Sequence, residues 1–220
     1  MTKTPALPSP KKPANKATGA QAKVDAKPLA AGRNENVVAT LGERIKTLRT
    51  EAGMTLDQLA IKSGVSRAML SKVERREKSP TLSIISRIGR GLNMTLSALL
   101  RVMPDTATIA VTPKAKRVIF IDPETGFERH LLSPTHVDNG VELLMHRIPA
   151  GSSSGELPPY TSPAEKYLVV QEGSLTVLIG HARYVLHSGD AMYFEVKEPY
   201  SFINEGNKPC SYYLTIVRRR

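Results

Sequence analysis

The sequence predicts two domains of opposite class: an all-α block of five short helices, then an all-β barrel, behind a disordered basic N-terminal tail. Three observations carry this reading. Apolar residues repeat at helical spacing from Val37 to Leu100. From Val118 onward they gather instead in short β-prone runs. The excess positive charge lies entirely before Pro104.

Residues 1–36 carry seven Lys/Arg against two Asp/Glu, among repeated Pro, Ala and Thr and almost no large apolar side chains. Such a segment cannot bury enough surface to offset its ordering entropy, so disorder is expected. Its basic charge suits either solubility or sequence-independent attraction to phosphates. Residues 37–103 have a net charge of +7 and residues 104–220 a net of −1. A basic block beside a neutral one points to a polyanion-binding module joined to something else. No run approaches the roughly 18 apolar residues of a membrane span. The first residues lack the apolar core of a secretory signal. The single cysteine, Cys210, excludes an internal disulfide framework and a cysteine metal cluster, and it fits a reducing cytoplasm.

The α block is expected over 37–103. Val38, Leu41, Ile45 and Leu48 mark one apolar helical face, ended by Gly53. Thr55 can cap a second helix, with Gln58 completing a capping box. Ser63-Gly64 stops that helix, with Gly64 suited to a left-handed cap. Ser66 caps a third helix with Met69, Leu70 and Val73 inside. Thr81, after Ser79-Pro80, caps a fourth that Gly91 is expected to end, and Thr95 caps a short fifth.

TLDQLAIKSGVSRAMLSKVERRE has the spacing of a helix-turn-helix. Ala60 permits close approach, Gly64 makes the turn, and Val65 and Leu70 fill the angle. The third helix then offers Ser66, Arg67, Ala68, Ser71, Lys72 and Arg75 to a major groove. Arg and Lys match the guanine O6 and N7 acceptors, and Ala a thymine methyl. Thr55 opens the same segment, while Gln58, Ser66 and Ser71 suit phosphate oxygens. From Leu41 to Leu100 the chain resembles the XRE, or lambda-repressor-like, helix-turn-helix family, through R-x-x-x-G-M-T-x-x-x-L-A, G-V-S, L-S-K-x-E and P-T-L-x-x-I-x-x-I in order. The resemblance implies DNA binding through Thr55–Arg75, with Arg67, Ala68 and Lys72 in base-facing slots. It gives Glu74 a role in the fold rather than in readout.

Residues 104–116 read as a linker, and residues 117–220 as a barrel of short strands. Here EKYLVVQEGSLTVLIG and YVLHSGDAMYFEVKEPYSFINEG resemble the two motifs of a cupin, a double-stranded β-helix barrel. Catalytic cupins hold a metal through an H-x-H pair, a Glu and a later His. In this chain the first pair of slots falls near Pro159 and Thr161, or Tyr160 and Ser162. The Glu slot falls on Lys166 and the last His slot on Tyr200, and the five histidines are expected elsewhere, at surface or strand positions. A first-row metal needs converging imidazole or carboxylate donors, so neither a metal nor another cofactor is expected, nor any catalytic residue. Tyr160, Tyr193 and Tyr200 could wall a pocket, with Lys166 as a cation for an anionic small molecule.

The sequence therefore points to a cytoplasmic transcriptional regulator. It is expected to bind a pseudo-palindromic double-stranded operator as a homodimer, with a metal-free barrel that senses a metabolite. Two other readings stand beside it. One is a metal-dependent cupin oxygenase or isomerase, which metal content would reveal. The other is an antitoxin-like DNA-binding protein whose barrel only dimerises, which a barrel without an open cavity would favour.

Overall fold

The computed structural model describes residues 33–100, 110–133 and 140–218, with side chains from residue 40 onward. The expected tail before Arg33 and the linker residues before Ala110 lie outside the described residues.

Five helices come first: α1 (Arg33–Glu51), α2 (Leu56–Ser63), α3 (Arg67–Glu74), α4 (Leu82–Gly91) and α5 (Leu96–Leu99). Helix α1 begins inside the segment expected to be tail. Its opening Arg-Asn-Glu-Asn turn is polar, so apolar periodicity cannot register it. The expected caps form: Thr55, Ser66, Thr81 and Thr95 each accept a hydrogen bond from the backbone N–H three residues on. Gly64 takes the left-handed conformation at φ 66°. Leu41, Ile45, Leu59, Leu70, Ile85, Ile88 and Leu99 form the core beneath. Two glycines set the helix spacing. A Cβ on Gly42 would lie 2.2 Å from the Val73 carbonyl oxygen, and one on Gly91 3.0 Å from Ser63 Cβ. Gly91 is the last residue of α4, as expected, and it also allows close approach to α2; the left-handed residue of the turn that follows is Asn93, at φ 54°.

After a 3-10 turn at Lys114–Lys116 come ten strands: β1 (Ile119–Ile121), β2 (Glu128–Leu131), β3 (Val141–Ile148), β4 (Ser152–Ser153), β5 (Ala164–Glu172), β6 (Ser174–Ile179), β7 (Ala182–His187), β8 (Ala191–Glu195), β9 (Tyr200–Asn204) and β10 (Cys210–Arg218). They form a six-stranded sheet in the order β1-β2-β3-β10-β5-β8 and a four-stranded sheet in the order β4-β9-β6-β7. All pairings are antiparallel. Phe120, Phe127, Leu144, Leu168, Val177, Phe202, Tyr212 and Leu214 are buried in the barrel.

The helical half docks on the barrel through polar contacts. The buried Asp122 carboxylate accepts the Leu82 N–H at 2.6 Å, an anion at the N-terminus of α4. Ser83 donates to the Glu156 carbonyl at 2.7 Å, and Ser97 of α5 donates to the Glu142 carboxylate at 2.6 Å.

Candidate DNA-reading face and barrel cavity

Helix α3 is held from behind and open in front. Leu70 and Val73 are buried, and Glu74 receives a two-pronged ion pair from Arg49 of α1, at 2.7 and 2.9 Å. Arg49 also donates to the Met54 carbonyl at 2.6 Å, fixing the turn before α2. The hydrogen bond to Glu74 raises the guanidinium pKa further. Glu74 is thus a fold residue, which leaves the opposite face of α3 for contact.

On that face Ser66, Arg67, Ala68, Lys72 and Arg75 are exposed and Ser71 is half-buried. Thr55 and Gln58 lie at the start of α2, where the Gln58 side-chain oxygen accepts from the Thr55 N–H at 2.7 Å. That engages the oxygen and leaves the amide N–H groups to donate. Arg67 pairs with Asp57 at 3.1 Å, while Arg75 pairs with Glu77 at 2.6 Å and donates to Ser71 at 2.5 Å. Exposed pairs of this kind are weak enough for a phosphate or a base to replace them.

The second site is a cavity of about 60 Å³ between the barrel mouth and the α4–α5 region. Three of the four residues singled out for the barrel, Tyr160, Lys166 and Tyr200, line it together. Lys166 is 1% exposed, its Nζ lies 2.5 Å from the Tyr200 hydroxyl, and it stands 4.0 Å from the centre of the Tyr200 ring. Burial, then the charge of Arg129, hold its pKa well below the usual lysine range. Burial pushes the Tyr160 phenol up to about 12 and raises Tyr200 as well.

The structure does not bring Tyr193 to the cavity. Tyr193 is half exposed on the outer face of β8, against Tyr167 at 4.9 Å between ring centres. Its neighbour Phe194 takes the buried position, and the two-residue period of a strand puts consecutive side chains on opposite faces. Glu165 and Lys166 follow the same rule, with Lys166 at the cavity and Glu165 on the side of Tyr167. Both are buried, and Glu165 accepts from the Tyr167 hydroxyl at 2.9 Å.

His146 lies at a strand position, on β3, as expected, but it reaches the cavity, which the sequence did not indicate. It is 1% exposed and lines the cavity. Its Nδ1 lies 2.9 Å from the Tyr212 hydroxyl and its Nε2 3.3 Å from Arg129 Nη1. Burial, then Arg129, depress its pKa well below 6.5, so the ring is neutral. Arg129 and Arg218 also line the cavity, and both pair with Glu142, at 3.2 and 3.7 Å. Sequence reasoning missed Arg129 because β2 reads Glu-Arg-His-Leu, with no apolar run to mark a strand. It missed His146 because that residue lies outside both cupin motifs.

This donor set does not fit the metal that catalytic cupins hold. A lysine and guanidiniums repel a divalent cation, the phenols keep their protons, and a single imidazole is too few. No group of three His, Cys, Asp or Glu converges among the described residues. Nor is any helix among them long and apolar enough to cross a membrane.

A helix-turn-helix family model matches residues 45–99, and a cupin domain family model matches residues 144–217. Over 188 residues the chain is 26% identical to the HTH-type transcriptional regulator SutR of Escherichia coli (strain K12), covering 83% of this chain and 97% of that protein. The helical half alone is 34% identical over 61 residues to the HTH-type transcriptional regulator SinR of Bacillus subtilis (strain 168), covering 27% of this chain and 55% of the relative. The crystal structure of an HTH_3 family transcriptional regulator from Vibrio cholerae shares the fold, with a TM-score of 0.69 at 22% identity, over 85% of this chain and 99% of that one. With one family model on the helices, another on the barrel and a relative that spans both, the chain carries an XRE-type helix-turn-helix domain followed by a C-terminal cupin domain.

Proposed function

We propose how this helix-turn-helix transcriptional regulator works: α3 reads an operator as one half of a homodimer, and the metal-free cupin cavity takes a small anionic effector. The observation that carries the DNA reading is the division of α3. Leu70, Val73 and Glu74 are buried, while Arg67, Ala68, Lys72 and Arg75 are exposed together on the other side. Arg67 and Lys72 carry base discrimination, and Ser66, Ser71, Gln58 and the Thr55 end of α2 carry phosphate contacts. Arg75 supports them at the end of α3.

Two copies are needed to read a pseudo-palindrome. The outer face of the six-stranded sheet supports pairing with a second copy. Leu143, Tyr167, Val169, Tyr193 and Tyr213 are each more than 40% exposed there, on four adjoining strands. Tyr213 stands beside Val169, and Tyr167 beside Tyr193. A continuous exposed apolar face of this kind marks an interaction surface. Tyr193 thus belongs to the proposed interface rather than to the effector site.

Arg67→Ala and Lys72→Ala should each weaken binding to the preferred site on the order of tenfold to a hundredfold, with little change on random DNA. Competition binding against unrelated sequence measures this. Both variants keeping full preference for the site would refute the assignment of α3.

A further inference from the structure

Resting on the reading of the cavity as an effector site, we propose that it takes a small carboxylate between Lys166 and Arg129, and that this ligand displaces the contact by which Ser97 ties α5 to the barrel.

The cavity's charge is one-sided. Lys166, Arg129, Arg218 and Arg90 line it, and no Asp or Glu is among the lining residues. Glu142 pairs Arg129 and Arg218 from outside the lining. Lys166 meets a phenol and, among the described residues, forms no ion pair with a carboxylate. Arg129 is 5% exposed, yet its Nε has no hydrogen-bond partner. A lining with three arginines, a lysine and no carboxylate suits an anion, and the buried Arg129 Nε leaves one guanidinium N–H unsatisfied.

Size narrows the class. A free volume of about 60 Å³ is small beside the roughly 300–1,000 Å³ of pockets that take drug-sized ligands. A volume that small suits a short carboxylic acid, not a nucleotide or a sugar phosphate.

The link to the helices follows from guanidinium stereochemistry. The edge that carries Nε also carries Nη2, and a carboxylate takes both N–H groups side by side. On Arg129, Nη2 donates to Ser97 Oγ at 3.0 Å and to Glu142 Oε2 at 3.2 Å. Arg129 Nε is occluded in the ligand-free protein, so a ligand takes that edge only by displacing what covers it; it then competes for the same Nη2 and brings a second negative charge against Glu142. Ser97, which accepts from Arg129 and donates to Glu142, loses the arrangement that holds both bonds. Helix α5 has four residues, too few to hold itself by its own ladder, so its position depends on docking.

Hydrogen–deuterium exchange and thermal unfolding of the full chain test this, with acetate and pyruvate as probes and acetamide as the uncharged twin of acetate, at constant ionic strength. A carboxylate should raise the melting temperature where acetamide does not, and should speed exchange in the amides of α5. Lys166→Met and Arg129→Gln should each weaken the carboxylate effect at least tenfold. Ser97→Ala should keep the melting shift, but with α5 exchanging fast already and unresponsive to ligand. Stabilisation without a change in α5, or an unaltered response in Ser97→Ala, overturns the link and leaves the effector site standing. Acetamide acting as well as acetate overturns the carboxylate class. No stabilisation of the wild type by either anion overturns the effector site and the link together.

Discussion

Lys166 occupies the slot where a catalytic cupin places a carboxylate ligand, and its surroundings show what that exchange costs. A buried amine held by one phenol is a polar group taken from water for little return. Met has a similar length and no polar atom to satisfy. Lys166→Met should therefore stabilise the ligand-free protein by about 1 kcal/mol, a rise of roughly 2–4 °C in melting temperature. The same variant should lose carboxylate-induced stabilisation. A fall in melting temperature would show that the ammonium is better satisfied than its contacts indicate. His146 gives a pH signature. Its folded pKa lies well below the unfolded value near 6.5, so below pH 6.5 the unfolded chain binds a proton that the folded chain does not. The stability that His146 contributes is present above pH 6.5 and is lost as pH falls toward the folded pKa, with a slope of at most about 1.4 kcal/mol per pH unit. Denaturation curves from pH 7 to 5 should be flatter in His146→Gln, and equal slopes would contradict a neutral buried ring. At this scale Lys166, Tyr160 and Tyr200 were legible because they fall in motif slots. Arg129 was not, since an inward-facing arginine on a short polar strand leaves no periodic trace, and Arg218 was not, since it ends β10 beyond that strand's apolar run. Tyr193 was misplaced because one residue of strand register exchanges the inner face for the outer.

Among elements, helix starts were easier to read than helix ends. A Thr or Ser cap with a short polar side chain announces itself, and all four expected caps carry their hydrogen bonds. A glycine is ambiguous, because it can serve backbone conformation or close approach. Gly64 serves the first and Gly91 the second, and only neighbouring helices reveal which. Gly42 is the sharpest case, since it lies within α1 where alanine would favour the helix by about 1 kcal/mol. The Cβ would nonetheless meet the Val73 carbonyl of α3 at 2.2 Å, and backbone cannot yield as a side chain does. Overpacking of that kind costs about 1–3 kcal/mol, so Gly42→Ala should lower stability despite its better propensity. Chemical denaturation decides the sign, and a stabilised variant would mean that α1 and α3 separate freely. Strands β2 and β4 leave no β-prone run in the sequence for a related reason: one is mostly polar and the other is two serines long.

At the scale of the molecule, the order of helical block and barrel was plain from periodicity and charge, whereas their docking was not. Asp122 reaching Leu82, Glu156 reaching Ser83 and Glu142 reaching Ser97 join residues 40 to 73 positions apart, and such contacts follow no pattern along a chain. They place the barrel against α4 and α5, and α4 packs on α2, which in turn packs on α3, so the proposed ligand would act on the DNA-reading half through those helices. The central claim is that two copies present α3 to one operator. The most direct measurement is selection of bound sequences from random DNA by the full chain, run beside a variant with Tyr167→Glu and Tyr213→Glu on the outer sheet face. The wild type should enrich an inverted repeat with half-site centres about one helical turn, roughly 10 bp, apart. The variant should run as a monomer in light scattering and lose the repeat. An unenriched pool from the wild type, or an unchanged inverted repeat from a demonstrably monomeric variant, would contradict the account.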